Sequence, residues 1–126
     1  MKYLLDTHAF LWAASDPSRL SAAAAEACAS GELWLSVASI WELSIKAKIG
    51  RLPLETSIRN FVERQLARGQ ISVLPIHARH TFRLAELPLH HRDPFDRMLA
   101  AQSLEESLPL ISRDPLLAPY QLVQVW

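Results

Sequence analysis

A single cysteine, Cys28, leaves this chain without any internal disulfide and without a thiolate metal cluster. That usage suits a reducing compartment, and the expected location is the cytoplasm. There is no excess of either charge. Lys+Arg and Asp+Glu number 13 each, which excludes the global basic field of a protein that coats nucleic acid. Any RNA or DNA contact must therefore come from a local patch. No apolar run approaches the ~18 residues of a membrane span. The first short run, Tyr3-Leu4-Leu5, meets Asp6 too early for a secretory leader. No repeat, low-complexity tail or linker interrupts the chain. Five histidines are present, yet no His-x-x-x-His or His-Glu-x-x-His zinc spacing occurs.

What remains is the balance of an ordinary globular chain. Half of the 126 residues are hydrophobic, enough to bury a real core in one compact unit. Short apolar runs alternate with helical patterns, which predicts an α/β fold with a parallel sheet. The expected strands are Lys2 to Leu5, Leu33 to Ser36, Ile71 to Leu74, Leu110 to Ser112 and Gln121 to Val125, the last at an edge. The expected helices are Ala9 to Ala14, the alanine-rich Ser21 to Ala29, Ser39 to Ile49 before Gly50, Ser57 to Arg68 before Gly69, Ala78 to Leu87, and Pro94 to Leu108. Leu87 to Arg92 has the least regular pattern and reads as a mobile loop.

Five acids share one position in this scheme. Asp6, Glu42, Asp93, Asp96 and Asp114 each lie where an apolar run gives way to a helix start. In an open α/β sheet that is where ligands bind, beyond the carboxyl ends of the strands. Each acid also has a structural role open to it. Asp6, Asp93 and Asp114 can cap helices, the latter two followed by proline at the first helical position. Ser39-x-x-Glu42 has the form of a capping box, and Asp96 suits the helix dipole. Taken together the caps explain less, because Ser, Thr or Asn would cap as well. Carboxylates gathered in one cleft repel unless protonated or bound to cations, and an all-oxygen set suits hard divalent ions.

The segments Tyr3-Leu4-Leu5-Asp6-Thr7-His8, Leu35-Ser36-Val37-Ala38-Ser39-Ile40-Trp41-Glu42-Leu43, Asp93-Pro94-Phe95-Asp96-Arg97-Met98-Leu99-Ala100-Ala101-Gln102 and Leu110-Ile111-Ser112-Arg113-Asp114 together resemble the PIN-domain nucleases, especially the VapC-type toxins. Each piece is weak alone; their order and spacing across nearly the whole chain make the match specific. The resemblance implies a Rossmann-like three-layer α/β/α sandwich, with residues 1–126 as a single PIN-like nuclease domain. It implies a metal-dependent endoribonuclease in which Asp6, Glu42 and Asp96 hold one or two Mg²⁺ or Mn²⁺ ions, with Asp114 as the fourth acid. Thr7, Ser39 and Ser112 match small polar positions that hydrogen-bond such acids, and Asp93 takes a capping or supporting role. The implied partners are an RNA substrate and a VapB-type antitoxin, in a homodimer or a toxin–antitoxin hetero-oligomer, with no membrane.

The basic residues divide into Lys46, Lys48 and Arg51, then Arg59, Arg64 and Arg68, and finally Arg97 and Arg113 beside two of the acids. The first two groups read as solvated helix faces. Arg97 either positions a phosphate or pairs with Asp93 four residues earlier; Arg113 is a phosphate candidate. His8, His90 and His91 are expected on the surface or in loops, and Trp12, Trp34, Trp41 and Trp126 mainly in the core. A phosphoaspartate reading fits poorly: Asp6-Thr7-His8 lacks the second acid of a haloacid-dehalogenase motif, and Leu74-Pro75-Ile76 carries no receiver-type acceptor. The rival is a non-catalytic PIN-like module that binds RNA or protein without cutting.

Overall fold

The computed structural model describes residues 1–126. Five strands, β1 (Lys2–Leu5), β2 (Glu32–Ser36), β3 (Ser72–Leu74), β4 (Leu110–Ile111) and β5 (Gln124–Val125), form one sheet in the order β3-β2-β1-β4-β5. All four pairings are parallel. The helices are α1 (Thr7–Ser15), α2 (Ala22–Ser30), α3 (Val37–Lys48), α4 (Ile58–Gly69), α5 (Ala78–Glu86) and α6 (Pro94–Glu106). Two 3₁₀ segments, Pro17–Arg19 and Pro115–Tyr120, were not anticipated.

The sheet is covered on both faces, as a parallel sheet must be. Because side chains alternate along a strand, Leu5, Leu33, Leu35 and Ile111 enter one core with Ala9, Phe10, Ala24, Ala27 and Leu43 of α1, α2 and α3. Leu4, Leu74 and Leu110 enter the other with Leu99 and Ala100 of α6 and Leu117 and Tyr120 of the second 3₁₀ segment. This is the three-layer α/β/α sandwich.

Strand order fixes the place of the site. From β1 the chain proceeds outward through β2 and β3, then returns to the other side of β1 as β4. The order therefore reverses between β1 and β4, and the crevice at such a switch point is where open α/β sheets bind ligands. Asp6 follows β1 directly, and Asp114 lies three residues beyond β4.

Several boundaries differ from expectation for local reasons. Helix α3 starts two residues early because Ser36 is its cap, its Oγ accepting from Ala38 N–H at 3.0 Å. Ser39 and Glu42 therefore form no capping box. Gly50, with φ of +79°, follows the C-cap Ile49, a conformation in which glycine has no side chain to strain. Gly69 is still helical, and Gln70 takes the left-handed turn that closes α4. Leu108 falls outside α6, which ends at a left-handed Ser107; the Ser103 hydroxyl donates to the Leu108 carbonyl at 2.6 Å.

Candidate metal centre

Asp6 is held at the top of β1 by its own helix. Its Oδ1 accepts from Ala9 N–H at 2.7 Å, capping α1. Only 5% of the residue is exposed. Burial pushes its carboxyl above the ordinary 3.8, and Asp114 adds to the rise; the Ser112 hydroxyl, the Ala9 amide and His8 oppose it.

Glu42 projects from the second turn of α3 and is buried. Thr7, the first residue of α1, donates from Oγ1 to Glu42 Oε1 at 2.7 Å and lies 3.0 Å from Ser39 Oγ. Both hydroxyls are buried, so this small network joins α1 to α3 at the cleft. On its outer side Glu42 Oε2 meets Lys46 Nζ at 3.1 Å.

Asp96 lies in the first turn of α6. Its carboxyl is pushed up to about 7, first by burial and then by Asp93, Glu42 and Asp6, with His91 pulling the other way. Its neighbour Asp93 is the helix cap, Oδ1 accepting from Phe95 N–H at 2.8 Å and Asp96 N–H at 3.1 Å. Asp114 caps the second 3₁₀ segment through Leu116 N–H at 2.9 Å, while the buried Ser112 Oγ accepts from Asp114 N–H at 3.1 Å.

Glu42 and Asp6 both act on Asp96, and Asp114 acts on Asp6. The fold thus brings the four acids into one electrostatic neighbourhood. Lys46 is the only Lys or Arg ion-paired to any of them. This donor set fits a hard divalent cation: it is rich in oxygen, burial and neighbouring acids raise the carboxyls of Asp6 and Asp96, and a positive charge would relieve the repulsion.

Other residues landed differently. Arg97 does not pair with Asp93; its Nη2 donates to the Leu87 carbonyl at 3.1 Å, and its buried Nε has no partner. Arg113 is exposed, with Cζ 5.9 Å from the Trp12 ring centre. Trp41 is 58% exposed rather than core, and stands edge-on to Phe95 at 5.0 Å; Trp12, Trp34 and Trp126 are only partly buried.

His91 lies in a loop, as expected, but not at the surface. It is buried, and Nε2 stands 2.7 Å from Asp114 Oδ2 and 3.3 Å from Asp96 Oδ2. His91, Asp96 and Asp114 each present a donor atom within 4.8 Å of the others. Nothing local in the sequence signals this, since Asp114 is 23 residues away. The Lys46 contact did have a signal, being four residues after Glu42 on one helix.

A parallel α/β sandwich with an acidic crevice at its topological switch belongs to the open-sheet folds that bind ligands beyond the carboxyl ends of their strands. Within that class the chain belongs to the PIN domain family, whose sequence profile matches residues 3–119. No curated protein matches it in sequence. Among solved structures it is similar to VapBC2 of Rickettsia felis, determined with a DNA fragment from their promoter. That likeness has a TM-score of 0.74 at 15% identity, over 98% of this chain and 97% of that one. It is also similar to FitAcB of Neisseria gonorrhoeae (TM-score 0.65, 20% identity, 98% and 96% coverage). VapBC-1 of nontypeable Haemophilus influenzae gives a TM-score of 0.64 at 17% identity, with 98% and 96% coverage. No helix is long and apolar enough to cross a membrane.

Proposed function

We propose that this chain is a Mg²⁺- or Mn²⁺-dependent endoribonuclease and the toxin of a toxin–antitoxin pair, with residues 1–126 acting as one PIN-like nuclease domain. The observation that carries the reading is the convergence of acids at the β1/β4 switch, where Glu42 and Asp6 both act on the buried Asp96 and Asp114 acts on the buried Asp6. Membership of the PIN domain family and likeness to toxin–antitoxin structures support it.

When bound, a divalent cation supplies an activated water for in-line attack at phosphorus and stabilises charge on the phosphate oxygens. The protein's share is positional. Asp6, Glu42 and Asp96 offer ligand oxygens from β1, α3 and α6, and Asp114 offers a fourth from beyond β4. Thr7 fixes one Glu42 oxygen, Ser39 supports Thr7, and Ser112 orders the backbone that carries Asp114. Asp93 fixes the start of the helix that carries Asp96. Arg113, exposed and next to Asp114 in sequence, is the proposed contact for a flanking phosphate; Arg97 is partly committed to the Leu87 carbonyl.

The proposed partners are an RNA substrate and a VapB-type antitoxin, within a homodimer or a toxin–antitoxin assembly in the cytoplasm. Purified, partner-free protein is tested on a small-RNA pool with Mg²⁺ or Mn²⁺, with EDTA, and as Asp6→Asn, which keeps the helix cap. Discrete cation-dependent cuts that vanish in the variant are expected. Cuts that persist in EDTA or in Asp6→Asn would point to a contaminant or to a mechanism without the cation, and no cuts from a folded protein would favour the non-catalytic binding module.

A further inference from the structure

The sequence offered His91 as a loop residue; the fold gives it a specific orientation. A backbone amide can only donate, and Asp93 N–H points at His91 Nδ1 across 3.1 Å. Nδ1 is therefore the bare nitrogen of the ring, and the ring proton sits on Nε2. That proton is donated to Asp114 Oδ2 at 2.7 Å, and Asp96 Oδ2 lies 3.3 Å from the same nitrogen without a hydrogen bond to it. Asp114 cannot turn away freely, because its other oxygen caps Leu116 N–H.

The backbone of His91 is fixed as well. His90 and His91 N–H groups both donate to the Tyr120 hydroxyl, at 3.1 and 2.8 Å. The His90 ring stands edge-on to Tyr120 at 5.2 Å, and Arg97 holds the Leu87 carbonyl at the start of the same loop. Asp93 links the two ends of the arrangement: its amide sets the His91 ring while its carboxylate caps the helix bearing Asp96.

We infer that His91 is a positioning residue of the acidic cleft: its Nε2–H, fixed as a donor by the Asp93 amide, holds Asp114 in place beside Asp96 as an oxygen ligand for a divalent cation and does not itself bind the ion. A nitrogen that carries a proton has no lone pair for a metal. The inference rests on the proposed cation site but not on the identity of the substrate. Hydrogen-bond partners of ligating groups commonly govern metal affinity by ~10–100-fold.

Two measurements test it. The first is ¹⁵N NMR of the His91 ring with and without Mg²⁺. Nε2 protonated and Nδ1 bare in both states is the expected result. A proton on Nδ1, or loss of the Nε2 proton when Mg²⁺ is added, would mean direct ligation and overturn the inference. The second is Mn²⁺ affinity of wild type, His91→Leu and His91→Gln. Leucine removes the donor at similar bulk and should weaken binding by roughly 10–100-fold. Glutamine, whose amide can donate from near the Nε2 position, should recover most of the loss. His91→Leu that binds Mn²⁺ as tightly as wild type, or more tightly, contradicts the inference; the tighter result would make His91 a competitor for the site. Wild-type protein that binds Mn²⁺, with the expected variant effects, yet cuts no RNA would sink the nuclease reading and leave His91 its role.

Discussion

Two clusters of charge sit on this small fold, and they follow opposite rules. Along the seam between α5 and α6 acids are matched by bases: Arg79 pairs with Glu106, and Arg83 with Glu105 at 3.4 Å. Arg79 holds the Glu106 carboxyl below its ordinary value. At the carboxyl ends of β1 and β4 the acids crowd one another, and burial, with that crowding added, drives Asp96 up to about 7. The chain as a whole carries equal numbers of acidic and basic residues, so bases were available and were placed elsewhere. A matched cluster joins two helices. An unmatched one keeps a standing demand for positive charge, which is what a cation site needs.

The largest effect should come from removing one of the crowded acids. Asp96→Asn deletes a ligand oxygen but leaves the Asp93 cap intact. Cation-dependent RNA cleavage should fall by on the order of 10²-fold or more, the loss of several kcal/mol of transition-state stabilisation. Single-turnover rates at saturating Mg²⁺ would check this, and a rate within a few-fold of wild type would remove Asp96 from the site.

Thr7→Val sharpens the contrast within the cleft. It keeps the shape and strips the donor from a buried carboxylate. Glu42 should become a poorer ligand, with Mn²⁺ affinity down by roughly 10–100-fold, measurable by calorimetry. An unchanged affinity would make the Thr7 contact purely architectural.

The next effect is a dependence on pH. Asp96 binds its proton more tightly folded, at about 7, than its ordinary 3.8. Its contribution to stability is therefore fully present below 3.8 and is lost as pH rises through about 7. Cation binding requires the ionised carboxylate and should strengthen over that same rise. Thermal melts in EDTA should show a lower Tm contribution at pH 8 than at pH 5, and Asp96→Asn should flatten the difference. A wild-type slope that the variant fails to change would assign the titration elsewhere.

The smallest effect belongs to the matched cluster. Glu106→Gln breaks a largely exposed pair, and exposed pairs contribute little. A slight loss of Tm with unaltered cleavage is expected. If cleavage fell sharply, the two clusters would not be independent.

Much of this contrast was legible in the sequence. Apolar runs of strand length ending in an acid located Asp6 and Asp114, and Asp93-Pro94 marked the start of α6 correctly. The parallel α/β class followed from alternation alone. What stayed hidden depends on tertiary contacts. No local pattern says that β4 returns beside β1, yet that reversal creates the cleft. Ser39-x-x-Glu42 reads as a capping box until Ser36 takes the cap and frees both residues to meet Thr7. The Leu87 to Arg92 stretch does lack helix and strand, but Tyr120 and Arg97 pin it. Trp41 looks like core by composition and lies exposed beside Phe95 because Glu42, one residue on, turns inward.

The most direct test of the central claim is the melting temperature of EDTA-treated protein at pH 8 as Mn²⁺ is added, for wild type and Asp96→Asn. If the crowded acids form one cation site, wild-type Tm should climb with Mn²⁺, equivalent to about 2.7 kcal/mol at a hundred times the Kd. Asp96→Asn should start at a higher Tm, relieved of the repulsion, and respond much less. A wild-type Tm that ignores Mn²⁺, or a variant that responds equally, would contradict the claim and leave Asp6 and Asp114 as helix caps.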